Sequence, residues 1–253
     1  MHLDLQRLAQ LRNQPPRPAA AGELRRVDQV FLVASELPLR PTLETIFESD
    51  CQKPADLFWL RFATAEEFLL GEELVRQLKK NFRGYLLGRF EFLPPADLID
   101  RAYASGLDLL ELPLTEVESP QWAALDYART VFPQWSVLAT LPALAQNEAL
   151  AETLAQAGIV PLFSLEGVPA KLPQNTLAAS FKQLQRSWRR HKVALKPLRP
   201  LLELTTPLTP PPKPRGVGAL LERVDDARLR TTSDLRRLLR VREVADSFES
   251  AGL

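Results

Sequence analysis

Residues 104–112, ASGLDLLEL, and residues 155–165, AQAGIVPLFSL, decide the reading of this chain. Each runs out of a helical pattern, through one glycine, Gly106 or Gly158, and into a short apolar run. A helix that stops at glycine and passes at once into a buried strand is what the helix-to-strand loop of a β/α fold requires. Working outward, apolar runs recur at 29–35 (QVFLVAS), 57–62 (LFWLRF), 85–92 (YLLGRFEF), 107–112 (LDLLEL), 135–141 (WSVLATL) and 159–165 (IVPLFSL). Their starts lie 28, 28, 22, 28 and 24 residues apart.

Helical patterns fill the gaps. The clearest is 65–80, with Phe68, Leu69, Leu74, Val75 and Leu78 at helical spacing, acids early and lysines late. Residues 95–105 begin with a proline that a first turn tolerates, and residues 143–157 are rich in Ala and Leu. Strand, helix, strand at this spacing predicts an α/β protein, a partial or full parallel β/α (TIM-like) barrel over residues 24–170, with a C-terminal helical extension. No GxGxxG and no GxxxxGK[ST] is present, which leaves dinucleotide-binding and P-loop readings without support.

The flanks read differently. Residues 1–23 give a short amphipathic helix (3–11, with Leu5, Leu8 and Leu11 on a stripe) and a Pro/Ala linker. Residues 171–204 form a basic amphipathic helical extension, 205–216 a proline-rich linker, and 217–253 a tail with a second helical signal at 232–245.

Composition narrows the function classes. The 253 residues are 45% hydrophobic and 25% charged, in the ordinary globular range. No run approaches eighteen apolar residues, so no transmembrane segment is expected. One cysteine, Cys51, excludes an intramolecular disulfide and a multi-cysteine metal site, and two histidines argue against a histidine-rich one. With no apolar leader after Met1, the expectation is a cytoplasmic protein without a metal site. Cys51 falls in SDCQKP, which reads as a loop. Charge is uneven: residues 1–180 hold 16 Lys/Arg against 23 Asp/Glu, and residues 181–253 hold 16 against 8.

Side chains alternate across a strand. In LLGRFEF, Phe90 and Phe92 share one face and Arg89 and Glu91 the other. The same logic sets Arg61 opposite Phe58, Leu60 and Phe62, and Glu111 opposite Leu110 and Leu112, while Glu36 ends the first strand. If the aromatics meet helices, Glu36, Arg61, Arg89, Glu91 and Glu111 form a ring near the C-terminal strand ends, where β/α folds place their sites. Two readings stand: a polar ligand pocket, with Glu91 and Glu111 as candidate acid and base, or a network of mutually satisfied ion pairs.

The extension carries Leu177, Phe181, Leu184 and Trp188 on one stripe and Lys182, Arg186, Arg189 and Arg190 elsewhere. Docking on the barrel, binding a protein partner, and binding nucleic acid or an anionic membrane surface are the alternatives, with nucleic acid the less favoured partner.

The order ASGLDLLELPLTEVESPQW (104–122), YARTVFPQWSVLATL (127–141) and LAQAGIVPLFSLEG (154–167) resembles the second half of a radical S-adenosylmethionine barrel of the biotin synthase and ThiH type. The similarity spans residues 83–168 and the tail RVREVADSFESAGL (240–253). It implies a β/α barrel, possible S-adenosylmethionine binding, and a strand-end acid at Glu116 or Glu118. The family's CxxxCxxC motif is missing, and an iron–sulfur cluster held by three thiolates cannot be built from one cysteine. LATLPAL (138–144) stands where a glycine-rich stretch is expected. The resemblance therefore implies a degenerate, radical-SAM-like pseudoenzyme: a non-catalytic partner or scaffold of an active enzyme, such as a cluster-bearing homologue. The alternatives are a metal-independent barrel enzyme using strand-end Glu and Arg, and an adaptor working through residues 176–192.

Overall fold

A computed structural model of the protein describes residues 1–114, 120–169 and 171–209, all within one unit, Met1–Pro210. The second helical signal at 232–245, the linker from residue 210 onward, and Glu116 and Glu118 lie outside the described residues.

Element order follows the sequence rhythm. It runs β1 (His2–Leu3), α1 (Leu5–Asn13), β2 (Leu24–Val27), β3 (Val30–Ala34), α2 (Leu39–Gln52), β4 (Leu57–Phe62), α3 (Ala65–Asn81), β5 (Tyr85–Phe90) and α4 (Ala96–Ser105). Then come β6 (Leu109–Pro113), α5 (Pro120–Val131), β7 (Val137–Pro142), a 3₁₀ turn (Ala145–Asn147), α6 (Glu148–Gln156), β8 (Val160–Ser164), α7 (Gln174–Arg190), α8 (Arg199–Thr205) and β9 (Leu208–Thr209). The two glycines that decided the reading have positive φ, +124° at Gly106 and +82° at Gly158, a region other residues enter only with strain.

Strands β2 to β8 form one seven-stranded sheet in sequence order. β2 pairs antiparallel with β3, and every later neighbour is parallel. Among the described residues β2 and β8 stand at the two ends of the order and do not pair with each other. The fold is thus α/β with a mostly parallel sheet. Parallel crossovers are right-handed, so a sheet whose order follows the sequence sets α2 to α6 on one face.

That face holds the aromatic core. Phe31 stacks on Phe58 at 5.4 Å, and Phe68 of α3 meets Phe62 and Phe90 at 5.2 and 5.6 Å. Thr64 caps α3 by accepting from the Glu67 amide, while the Glu67 carboxylate accepts from the Ala63 amide. Cys51, expected in a loop, lies exposed in the last turn of α2.

Three further features close the unit. Residues of the Pro16–Pro18 stretch and of α8 lie over the opposite sheet face, against Trp59 and Leu162. β1 pairs antiparallel with β9, and Arg7 Nε donates to the Thr206 carbonyl at 2.9 Å. α7 docks by its apolar stripe: Leu177, Phe181, Leu184 and Trp188 are all buried, and Trp188 Nε1 donates to the Pro161 carbonyl at 3.0 Å. Trp188 is 2% exposed, so it offers no stacking surface to a nucleic acid. Leu5, placed on the α1 stripe by spacing, is exposed, and Leu8 carries the burial.

Candidate functional site

The strand register sets Arg61 of β4 beside Arg89 of β5, and Arg89 beside Glu111 of β6. All three point to the face away from the aromatic core, as alternation from Phe62, Phe90 and Leu110 demands. Two like charges on neighbouring strands repel, and carboxylates resolve the conflict. Glu91, one residue past β5, accepts from Arg61 Nε at 2.8 Å and lies 2.7 Å from the second guanidinium nitrogen. Arg89 donates to Glu111 at 2.8 Å, and its Nε lies 3.5 Å from Glu91. A chain Arg61–Glu91–Arg89–Glu111 therefore crosses three strands.

Glu111 is its buried end, 2% exposed. One carboxylate oxygen accepts from Arg89 and from Thr140 Oγ1 at 2.6 Å, and the other from Trp59 Nε1 at 3.0 Å. Burial works against the charge on Arg89. The negative charges of Glu111 and Glu91, the Glu111 hydrogen bond and the charge of Glu166 outweigh burial, so the pKa of Arg89 rises above its ordinary value. Its Nε makes no hydrogen bond and has only the longer ion pair to Glu91.

A cavity of about 30 Å³ is lined by Trp59, Arg89, Glu111, Thr140, Ser164 and Glu166, with Pro16, Pro18, Leu201 and Thr205 over them. That is room for one or two waters. Pockets that enclose a cofactor-sized ligand start at roughly 300 Å³. The cavity bounded by these described residues is too small for S-adenosylmethionine.

Of the five residues placed in one ring by sequence, Arg61, Arg89, Glu91 and Glu111 come together. Glu36 does not: it is exposed and accepts from the Gly22 amide at 2.6 Å, in the chain that enters β2. Trp59 and Thr140 belong to the network and were not picked out by sequence. Trp59 had a readable signal, since it lies two residues before Arg61 and so on the same face; Thr140 depended on the register of β7. On α7, Arg190 donates to Glu152 at 2.6 Å and Arg189 to the Met1 carbonyl at 3.2 Å, while Lys182 and Arg186 are exposed. No group of His, Cys, Asp and Glu among the described residues could hold a metal ion, and no described helix is long and apolar enough to cross a membrane. The chain matches no protein-family model and none of the curated proteins.

Proposed function

We propose that this chain is a non-catalytic β/α protein, an open relative of the radical-SAM-type barrel that serves as partner or scaffold of an active enzyme. The observation that carries the reading is the Arg61–Glu91–Arg89–Glu111 chain: its charges neutralise one another, and beside them lies a space of about 30 Å³. A general acid or base must reach its substrate. Glu111 already accepts three hydrogen bonds and is covered by the Pro16–Pro18 stretch and α8. Glu91 is committed to two arginines. The ancestry is our reading of residues 83–168, where the helix-glycine-strand phrases and the TEVESP segment carry it.

The test is turnover. Purified protein, after anaerobic incubation with iron and sulfide, is given S-adenosylmethionine and dithionite. We expect no 5′-deoxyadenosine. Its formation, at a rate that falls on Glu111→Gln substitution, would overturn the reading.

A further inference from the structure

Among the described residues, α2 and α3 carry exposed large apolar side chains, Leu39, Phe47 and Leu70, that define an apolar groove between the two helices. On α2, Arg26 of the edge strand β2 donates to the Ser49 carbonyl and hydroxyl and to the Lys53 carbonyl, which marks the side of α2 that faces β2. Phe47 precedes Ser49 by two residues, about 200° around the helix, and so lies on the side facing α3. Leu39 and Leu43 stack above it at four-residue spacing. On α3, Glu72 is held by Arg101 of α4, which marks the side facing α4. Leu70 precedes Glu72 by two residues and so faces α2 by the same geometry. Phe47 is 60% and Leu70 74% exposed, the two most exposed large apolar side chains among the described residues.

Acids outnumber cations beside this stripe. Glu44 and Glu48 on α2 and Glu66 on α3 are exposed; Glu73 is exposed but pairs with Arg76 at 3.2 Å, and Arg40 on α2 and Lys80 on α3 are exposed cations. We propose that the α2–α3 groove is a docking surface for an amphipathic helix of a partner protein, with an apolar stripe flanked by Lys and Arg. A helix laid between two helices buries an i, i+3, i+4 stripe, and the acidic rim selects the sign of its flanks. The assignment deepens the partner reading above, and it stands on a face remote from the Arg89 network.

The test uses the full chain and a fluorescein-labelled synthetic 18-residue peptide, Leu at helical i, i+3, i+4 positions and Lys elsewhere, followed by fluorescence anisotropy. A peptide with Glu in place of Lys and a scrambled Leu/Lys peptide serve as probes of charge and stripe. We expect the Leu/Lys helix to bind at least tenfold tighter than either. Phe47→Ser with Leu70→Ser should weaken it at least tenfold, while Leu5→Ser, exposed elsewhere, leaves it unchanged. Glu44→Gln with Glu48→Gln and Glu66→Gln should weaken it severalfold and flatten its salt dependence. Equal binding to the wild type and the Phe47/Leu70 variant, or equal binding of the Lys and Glu helices, overturns the groove. Either result leaves the turnover test untouched, and turnover with an intact groove would remove the non-catalytic reading alone.

Discussion

Arg89 and Glu111 meet at 2.8 Å across adjacent parallel strands, the arginine side chain 12% and the glutamate 2% exposed. Each offsets part of the cost of burying the other's charge inside the sheet. Removing Glu111 leaves the buried Arg89 with only its longer, 3.5 Å pair to Glu91. Glu111→Ala should therefore cost about 3–5 kcal/mol in urea unfolding. Replacing both, as Arg89→Met with Glu111→Leu, should regain most of that loss. A double variant as unstable as the single one would show that charge burial is not the cause.

Gly88 sits in β5 where a Cβ would lie 2.5 Å from Leu107 Cδ1 and 3.2 Å from Phe62 and Phe90. Gly88→Ala should cost about 1–3 kcal/mol by overpacking. Gly88→Ala with Leu107→Val should be less destabilised than the sum of the two single changes, measured by thermal melts under identical conditions.

Acid should loosen the seat of α7. The His191 hydrogen bond is the first cause, with Arg190 also contributing, that holds the Glu152 carboxyl at a pKa of about 2, below its ordinary 4.5. A depressed carboxyl pKa stabilises the fold fully above the unfolded value and stops doing so as pH falls through the folded one. The contribution should thus be complete above pH 4.5 and disappear between 4.5 and about 2. Glu152→Gln should remove that part of the acid sensitivity; an unchanged stability difference between wild type and variant across this range would refute it.

Trp188→Phe keeps the ring in its pocket and removes the donor to the Pro161 carbonyl. The loss should be about 1–3 kcal/mol, as for other buried groups left without a partner. Chemical denaturation with the m-value held as a check on compactness measures it.

The sheet was legible because each strand of β3 to β8 is an apolar run entered or left through a helix signal. β2 was not, since LRRV carries two arginines and pairs against the parallel rhythm, through a turn in which Asp28 takes a φ of +52°. α2 was hidden by Pro41 in its first turn and by a Pro38 cap that offers no side-chain acceptor. At the candidate site, alternation within single strands was enough to bring Arg61, Arg89 and Glu111 to one face. What it could not supply was which strand ends converge, and so Glu36 was grouped with residues it does not meet. The cover from Pro16–Pro18 and α8 comes from segments far apart in sequence, which strand periodicity does not encode.

The strand order also dictates a timetable. From β2 to β8, each strand lies beside the one made just before it, so every pairing can form as soon as its second member emerges during synthesis. Short sequence separations of this kind favour rapid, stepwise assembly. The His2–Leu3 strand is the exception. Its partner, Leu208–Thr209, is made more than two hundred residues later. Until Leu208 and Thr209 arrive, the sheet can be paired while the β1–β9 clasp is still open, so the clasp closes only after every strand of the sheet has been made.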